Sequence, residues 1–185
     1  MASQLNYKFA VFRAWESVGN YDYTGIQNIK NARQAKGILD VDAYIFPRCS
    51  GGASAAAQVE ATINKLRSEG ATIGMLWLDI ERYAWPANQG SNQNFILEMV
   101  HQGEAMGVKM GVYTNYNNWM AITGINWAGV SHLPLWYAAY DGQANFNDFR
   151  SFGGWSKPSI KQYSGKLRDY RTSSCGGLDI DQNWY

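Results

Sequence analysis

Two acidic residues, Asp79 and Glu81, stand at the end of an apolar stretch that covers residues 73–81. In an extended strand, residues i and i+2 point to the same face, so these carboxyl groups and the Trp77 ring are predicted to lie side by side. Crowded carboxyl groups drive their pKa values apart, so that one can give a proton while the other stays ionised. The pair predicts a site for acid–base chemistry, although a solvated strand end would show the same residues.

The stretch that carries this pair is apolar on both faces, which is typical of a strand in a parallel sheet covered by helices. Enzymes on such scaffolds place their chemistry where the parallel strands end. The predicted strands cover residues 9–14, 41–46, 73–81, 110–114, 133–140, 160–164 and 178–183, and the predicted helices cover residues 24–36, 55–69, 93–106 and 117–122. This alternation predicts a single α/β domain over residues 1–185, a TIM-like barrel with reduced helices in its last third.

Composition and motifs exclude several functional classes. The chain has 185 residues and a net charge of +1, so charge gives no reason to expect nucleic acid or a membrane as a partner. No Gly-x-Gly-x-x-Gly follows a strand, which argues against nucleotide cofactors. The cysteines and histidines, Cys49, Cys175, His101 and His132, are too scattered for a metal site, and we expect no metal and no other cofactor. The first residues contain no apolar core of a signal peptide.

Aromatic residues make up 15% of the chain, with 8 Trp and 12 Tyr, and such rings stack on the apolar faces of sugars. Strand parity places Tyr44 and Phe46 on one face of their strand, and Trp136 and Tyr140 on one face of theirs. These rings could line a cleft near Glu81. Loop positions just past strand ends hold Tyr83, Trp85, Tyr116 and Trp119. Core packing explains each ring equally well, so both interpretations stay open.

Several segments together resemble the family 25 glycoside hydrolases, the N-acetylmuramidase lysozymes, and their invertebrate and amoebal branch in particular. The matching segments are Trp77-Leu78-Asp79-Ile80-Glu81, Gly111-Val112-Tyr113-Thr114, Pro134-Leu135-Trp136-Tyr137-Ala138-Ala139-Tyr140-Asp141, Lys161-Gln162-Tyr163 and Asp181-Gln182-Asn183. The resemblance extends from Phe9 to Tyr185, nearly the whole chain. It implies a flattened eight-stranded barrel with few helices on its later strands, which agrees with the pattern of the last third.

The resemblance also implies roles for individual residues. Glu81 would donate a proton to the leaving glycosidic oxygen, Asp79 would stabilise the positive charge that develops in the substrate, and Asp181 would be the third acid. The residues that the resemblance and the strand faces suggest for substrate binding are Tyr44, Phe46, Tyr113, Trp136, Tyr140 and Gln162. The implied substrate is peptidoglycan or a related amino-sugar glycan, and the implied location is secreted, lysosomal or phagosomal.

One departure from the family pattern concerns the N-terminal strand. Family members begin with a strand that carries Asp-Val-Ser or a similar triplet, whereas the eight residues before Phe9 contain no acidic residue. With seven predicted strands instead of eight, we expect weakened catalysis, because an electrostatic partner of Glu81 is missing. We also expect unpaired edges on the strands at residues 9–14 and 178–183, which a second copy of the chain would cover.

Two alternatives to an active lysozyme therefore stay open: a carbohydrate-binding protein that has lost turnover, and a self-assembling structural protein. Glycan binding without hydrolysis would favour the first, and the absence of both would favour the second. Cys49 and Cys175 are compatible with a disulfide and equally with free thiols.

Overall fold

The chain folds into one mixed sheet whose convex side is covered by helices. The computed structural model describes residues 7–165 and 180–185. The strands are β1 (Phe9–Glu16), β2 (Asn20–Tyr21), β3 (Asp40–Ile45), β4 (Leu76–Asp79), β5 (Met110–Thr114), β6 (Leu135–Ala138), β7 (Ile160–Ser164) and β8 (Gln182–Trp184). The helices are α1 (Tyr23–Gln34), α2 (Ala55–Ser68), α3 (Gln89–Ala105) and α4 (Tyr116–Thr123). The predicted α/β class is confirmed.

The strands are arranged in the order β2-β1-β3-β4-β5-β6-β7-β8, so the sheet forms a half-barrel that ends at β2 and β8. The strands from β1 through β3 to β7 run parallel to one another. The two end strands run antiparallel to their neighbours. Because the parallel strands all finish at the same edge, the residues that follow them meet there.

Each helix begins at a polar residue that caps it. The caps are Asp22, Ser54, Asn88 and Asn115, and each side chain accepts a hydrogen bond from the backbone N–H three residues ahead. α2 begins at the predicted residue because Ser54 is the cap that the sequence indicates. α3 begins at Gln89 instead of the predicted residue 93, because Asn88 caps a first turn inside the predicted polar loop.

Strand bounds match the predictions at β5 and β7 and differ at β4 and β6. β4 covers only Leu76–Asp79 instead of residues 73–81, and β6 covers Leu135–Ala138 instead of residues 133–140. Ile73 and Ile80 lie outside β4 but pack in the hydrophobic core, so the apolar run indicates burial rather than strand pairing. β2 was not predicted, because a strand of two residues has no detectable alternation. Residues 178–179 of the last predicted strand lie outside the described residues.

The sheet separates two hydrophobic clusters, as the strand faces predict. Leu76, Leu78 and Ile80 pack in the larger cluster between sheet and helices. The concave cluster consists of Trp77, Tyr113, Trp136, Ala138 and Ile160. Asp79 follows Trp77 by two positions and therefore faces the concave side. Among the described residues, no helix has the length and apolar character needed to cross a bilayer.

The open side of the half-barrel lies between β1 and β8. β2 pairs with β1 at Trp15 and Glu16, so the edge predicted on residues 9–14 gains a neighbour at its end. Within the described residues the sheet has eight strands, one more than predicted. Across the opening, the rings of Phe9 and Tyr185 meet edge to face with their centroids 5.0 Å apart. The absence of a further N-terminal strand stays a prediction.

Candidate active site

A cavity of about 1100 Å³ opens on the concave side of the sheet. Its wall includes the three predicted acids, Asp79, Glu81 and Asp181. The predicted substrate-binding residues that also line it are Tyr44, Tyr113, Trp136, Tyr140 and Gln162. The cavity continues to both edges of the opening, at residues 7–13 and 180–185. Small-molecule pockets usually enclose roughly 300–1,000 Å³, so this cavity has room for more than one sugar ring.

Asp79 and Glu81 lie at different depths in this cavity. Asp79, the last residue of β4, is 6% exposed, whereas Glu81 is half-buried in the segment that follows. Asp79 Oδ1 is buried and meets no hydrogen-bond donor among the described residues. Burial raises the pKa of Asp79 well above its ordinary value, the Glu81 charge raises it further, and Arg13 opposes both. Asp79 therefore loses its proton less readily than an ordinary aspartate.

Glu81 contacts one amide and is affected by the charge of the third acid. Asn118 Nδ2 in α4 donates to Glu81 Oε1 at 3.5 Å. Burial raises the pKa of Glu81, the bond from Asn118 lowers it, and the charge of Asp181 raises it. Asn118 Oδ1 accepts from the backbone N and from Nε of Arg82 at 3.4 and 3.3 Å, which orients the amide. Glu81 thus keeps its proton to a higher pH than an ordinary glutamate.

Asp181 is joined to the aromatic wall through Gln162. Gln162 Nε2 donates to Asp181 Oδ2 at 3.2 Å. Gln162 Oε1 accepts from the hydroxyls of Tyr113 and Tyr140 at 2.5 and 2.6 Å. Burial raises the pKa of both tyrosines, so both stay protonated and donate. This network holds Asp181, which precedes β8, on the same cavity wall as Asp79 of β4 and Glu81, which follows β4.

Arg13 is a charged residue of the cavity that was not predicted. It lies on β1 and lines the wall together with Glu16 and Asp22. Arg13 Nε donates to Asp22 Oδ2 at 2.8 Å, and Nη2 donates to Glu16 Oε1 at 3.1 Å. Its positive charge lowers the pKa of Asp79. Strand alternation places Arg13 on the same face as Phe9 and Val11, which pack on the concave cluster. The alternation of this strand could therefore have identified Arg13 as a cavity residue.

Asn118 is another site residue that was missed, and no local signal identifies it. It belongs to a helix of eight residues that follows β5, whereas its partner Glu81 follows β4. The contact between them depends on how that helix packs, which spacing along the chain does not reveal.

The predicted aromatic residues divide between the floor and the rim of the cavity. Trp136 is buried, and its Nε1 donates to Asn183 Oδ1 at 2.8 Å, so it forms part of the floor. Tyr140 is 60% exposed at the mouth. Phe46 lies outside the cavity lining and packs on the exposed Tyr83 ring with centroids 5.6 Å apart. For Trp119, rim and core positions were both left open, and the structure has the core position: it is fully buried between α4 and the sheet.

Cys49 is a half-buried free thiol whose Sγ donates to the Pro47 carbonyl at 3.4 Å. Of the two alternatives, the structure therefore has the free thiol at this cysteine, and Cys175 lies outside the described residues. Burial raises the pKa of Cys49 to about 12, which disfavours the nucleophilic thiolate. His101 and His132 are both exposed on the surface.

Comparison with known proteins agrees with this geometry. Residues 2–163 match the family model described as Lysozyme-like protein 1. Lysozyme-like protein 5 of Caenorhabditis elegans is 46% identical over 179 residues, which cover 96% of this chain and 80% of that protein. "Probable GH family 25 lysozyme 2" of Dictyostelium discoideum is 44% identical, over 97% of this chain and 80% of that protein.

A solved structure shares the fold. The family GH25 lysozyme from Aspergillus fumigatus superposes with a TM-score of 0.75 at 22% identity, covering 100% of this chain and 85% of that chain. The family model and the two relatives extend over most of the sequence, and the family model includes the segment with Asp79 and Glu81. The chain therefore belongs to the lysozyme-like proteins of glycoside hydrolase family 25.

Proposed function

We propose that the protein hydrolyses the bond between N-acetylmuramic acid and N-acetylglucosamine in peptidoglycan. The observation that carries the proposal is the position of Asp79 and Glu81 on the wall of one cavity lined with aromatic rings. Most glycoside hydrolases cleave the glycosidic bond with two carboxyl groups that flank it. The relatives named as lysozymes support the same activity.

Glu81 is the proton donor in this proposal. Glu81 is half-buried at the cavity wall, whereas Asp79 is only 6% exposed, so a leaving oxygen reaches Glu81 more easily. The raised pKa of Glu81, caused first by its burial, keeps the proton available. When Glu81 protonates the glycosidic oxygen, the bond to the anomeric carbon breaks and positive charge develops on the sugar.

Asp79 stabilises that positive charge. Its Oδ1 is buried and meets no donor among the described residues, so it keeps an unused acceptor. In this proposal the N–H of a bound substrate, such as that of an acetamido group, supplies the missing donor. An acetamido group held in this way can attack the anomeric carbon with its oxygen as the leaving group departs. Water then completes the hydrolysis and returns a proton to the carboxylate of Glu81. Asp181 contributes its negative charge, which raises the pKa of Glu81.

The remaining predicted residues bind the glycan. Tyr113, Tyr140 and Gln162 form one hydrogen-bonded group on the cavity wall and offer polar atoms to sugar hydroxyls. Tyr44 keeps its proton because burial raises its pKa to about 12. Trp136 supports these side chains from below, with its ring 4.6 Å from that of Tyr113. The pair of Phe46 and Tyr83 would meet sugar units at the rim.

A turbidity assay on Gram-positive cell walls tests the proposal. We expect Glu81→Gln to lower the rate of clearing by about 1,000-fold, because the general acid is lost while the shape is kept. Glu60→Gln is the matched control, since Glu60 is an exposed residue of α2 outside the cavity, and it should clear walls at the wild-type rate. Equal rates for wild type and Glu81→Gln would exclude Glu81 as the acid.

The open side of the half-barrel favours a second candidate, a protein that binds glycans without turnover. Calorimetry with chitin and wall oligomers separates the two. If the wild-type protein binds glycan in calorimetry but does not clear cell walls, its function is binding and not hydrolysis. A protein that shows neither activity would favour the self-assembling alternative.

We further propose that a second copy of the chain covers the opening between β1 and β8. The support is the order of the sheet, which ends at β2 and β8 and leaves strand edges able to pair. Size-exclusion chromatography with light scattering should give the mass of a dimer, and a stable monomer would overturn this.

A secreted or lysosomal location fits peptidoglycan as the substrate, and fractionation of the source cells tests it.

A further inference from the structure

Lys161 is a buried lysine that the proposed reaction does not use. Its side chain is 0% exposed, and it leaves β7 on the side opposite to the neighbouring Gln162. Its Nζ donates to Asp141 Oδ2 at 2.8 Å and to Asp148 Oδ1 at 2.5 Å. A buried ammonium group is costly unless such partners compensate it. Lys161 therefore holds both carboxylates close to its ammonium group.

Both carboxylates belong to the connection between β6 and β7, where no described helix covers the convex side of the sheet. Asp148 Oδ2 also accepts from the hydroxyl of Tyr137 on β6 at 3.2 Å. The ammonium group thus attaches Asp141 and Asp148 to β7, and Tyr137 attaches Asp148 to β6 as well. Aromatic residues of the same connection also pack in the core, namely Phe149, Phe152 and Trp155. Ion pairs and aromatic packing together therefore take the place of a helix here.

The segment that Lys161 attaches is the one that carries Tyr140. On either side of Tyr140, the backbone N–H groups of Ala139 and Gly142 donate to β7, to the Gln162 and Tyr163 carbonyls, at 3.0 and 2.9 Å. Between these two bonds lies Asp141, which Lys161 holds. β7 therefore contacts the segment from both faces of the sheet, through Lys161 on one side and through Gln162 on the other.

Tyr140 is exposed to the cavity although its position is so constrained. It is 60% exposed, and its hydroxyl lies 2.6 Å from Gln162 Oε1 and 3.3 Å from the Tyr113 hydroxyl. A ring that is held still and open to solvent is preorganised to contact a sugar, because binding then costs little side-chain entropy.

We propose that Lys161 is a positioning residue for glycan binding, which fixes Asp141 and thereby holds Tyr140 at the mouth of the cavity. The inference rests on the glycan-hydrolase function proposed above. Lys161 acts through Asp141 and Tyr140 and touches no reacting atom. Its loss should weaken substrate binding while leaving the chemical step, which belongs to Asp79 and Glu81 on the β4 segment, nearly intact.

A double-mutant cycle between Asp141→Ala and Tyr140→Ala tests this, with steady-state kinetics on soluble wall fragments below the melting temperature of every variant. We expect Asp141→Ala to raise KM about 10-fold and to change kcat by less than about threefold, because a displaced binding group affects binding first. In the Tyr140→Ala background, the same substitution should change KM by less than about twofold, because the group it positions is gone.

Lys161→Met should reproduce the KM effect of Asp141→Ala, and Asp141→Asn provides a variant of unchanged size if either of these folds poorly. Lys65→Met is the matched control, because Lys65 pairs with Glu69 at 2.7 Å on the surface of α2, far along the chain from β7. It should leave KM and kcat unchanged.

Equal KM changes in both Tyr140 backgrounds, or a loss of kcat without a change in KM, would overturn the positioning role. These results leave the proposed function intact as long as wild type clears walls and Glu81→Gln does not. If wild type binds glycan without cleaving it, the same cycle is measured as Kd by calorimetry. If wild type neither binds nor cleaves, the proposed function fails and the role of Lys161 fails with it.

Discussion

The two faces of the sheet place carboxyl groups in opposite environments. On the concave face, burial raises the pKa of both Asp79 and Glu81, and Asp79 Oδ1 has no donor among the described residues. On the convex face, Asp141 and Asp148 share the buried ammonium group of Lys161. The hydrogen bond from Lys161 lowers the pKa of Asp141 below its ordinary value.

The difference between the faces comes from the cation. Lys161 contacts both of its carboxylates directly, whereas Arg13, which acts on Asp79, is already bonded to Asp22 and Glu16. A buried carboxyl without a direct cation costs stability and keeps a proton to give, and a paired carboxylate contributes rigidity instead. The same residue type thus supports chemistry on one face and structure on the other.

The largest effect should come from removing the ionisable group on the concave face. We expect Asp79→Asn to lower kcat for wall hydrolysis by about 100-fold, because a group that stabilises developing charge is lost. The same substitution should raise the melting temperature at pH 7. The folded-state pKa of Asp79 lies above its unfolded value, so its ionisation opposes folding at neutral pH, and asparagine removes that cost. Turbidity assays measure the change in kcat, and thermal unfolding measures the change in melting temperature. A lower melting temperature for Asp79→Asn would contradict the idea that ionised Asp79 destabilises the fold.

The convex face should respond to Lys161→Met with a loss of stability. Asp141 and Asp148 are 34% and 31% exposed, so water partly replaces the missing cation. We therefore expect the free energy of unfolding to fall by about 2 kcal/mol, less than for a fully buried pair. Urea unfolding measures it, with Lys65→Met as the control from a less buried ion pair, for which a clearly smaller loss is expected. An equal loss in both variants would show that burial of Lys161 is immaterial.

The pH dependence of activity sharpens the account of the concave face. Activity should fall as pH rises through the raised pKa of Glu81, since the donor then loses its proton. Asp181→Asn removes a negative charge that raises this pKa, so the alkaline limb of the rate profile should move to lower pH. Turbidity rates between about pH 4 and 8 measure the shift. A limb that stays in place would show that Asp181 does not act on Glu81.

The smallest effect should appear in the acid stability of the convex face. The folded-state pKa of Asp141 is lowered by Lys161, so its contribution is present above the unfolded pKa and is lost as pH falls through the folded pKa. The melting temperatures of wild type and Asp141→Asn should therefore differ at pH 7 and converge toward about pH 2. A constant difference across this range would mean that the charge of Asp141 is not what stabilises the connection.

Local patterns in the sequence determined the parts of this protein that depend on near neighbours. Alternation along the strand placed Asp79 and Glu81 on the face of Trp77, and both line the cavity. Ser54 marked the start of α2, and the predicted bounds of β5 and β7 match the structure. Each of these signals acts within a few residues, so no knowledge of distant contacts is needed.

Tertiary structure alone decided which groups surround the acids and which rings remain open to solvent. Asn118 reaches Glu81 from a different helix, and Gln162 reaches Asp181 from a different strand. Trp119 is buried while Tyr140 is exposed, although both carry an aromatic ring near a strand end. Burial, pairing and the resulting pKa shifts depend on residues that are far apart in the chain, and these meet only when the sheet has formed.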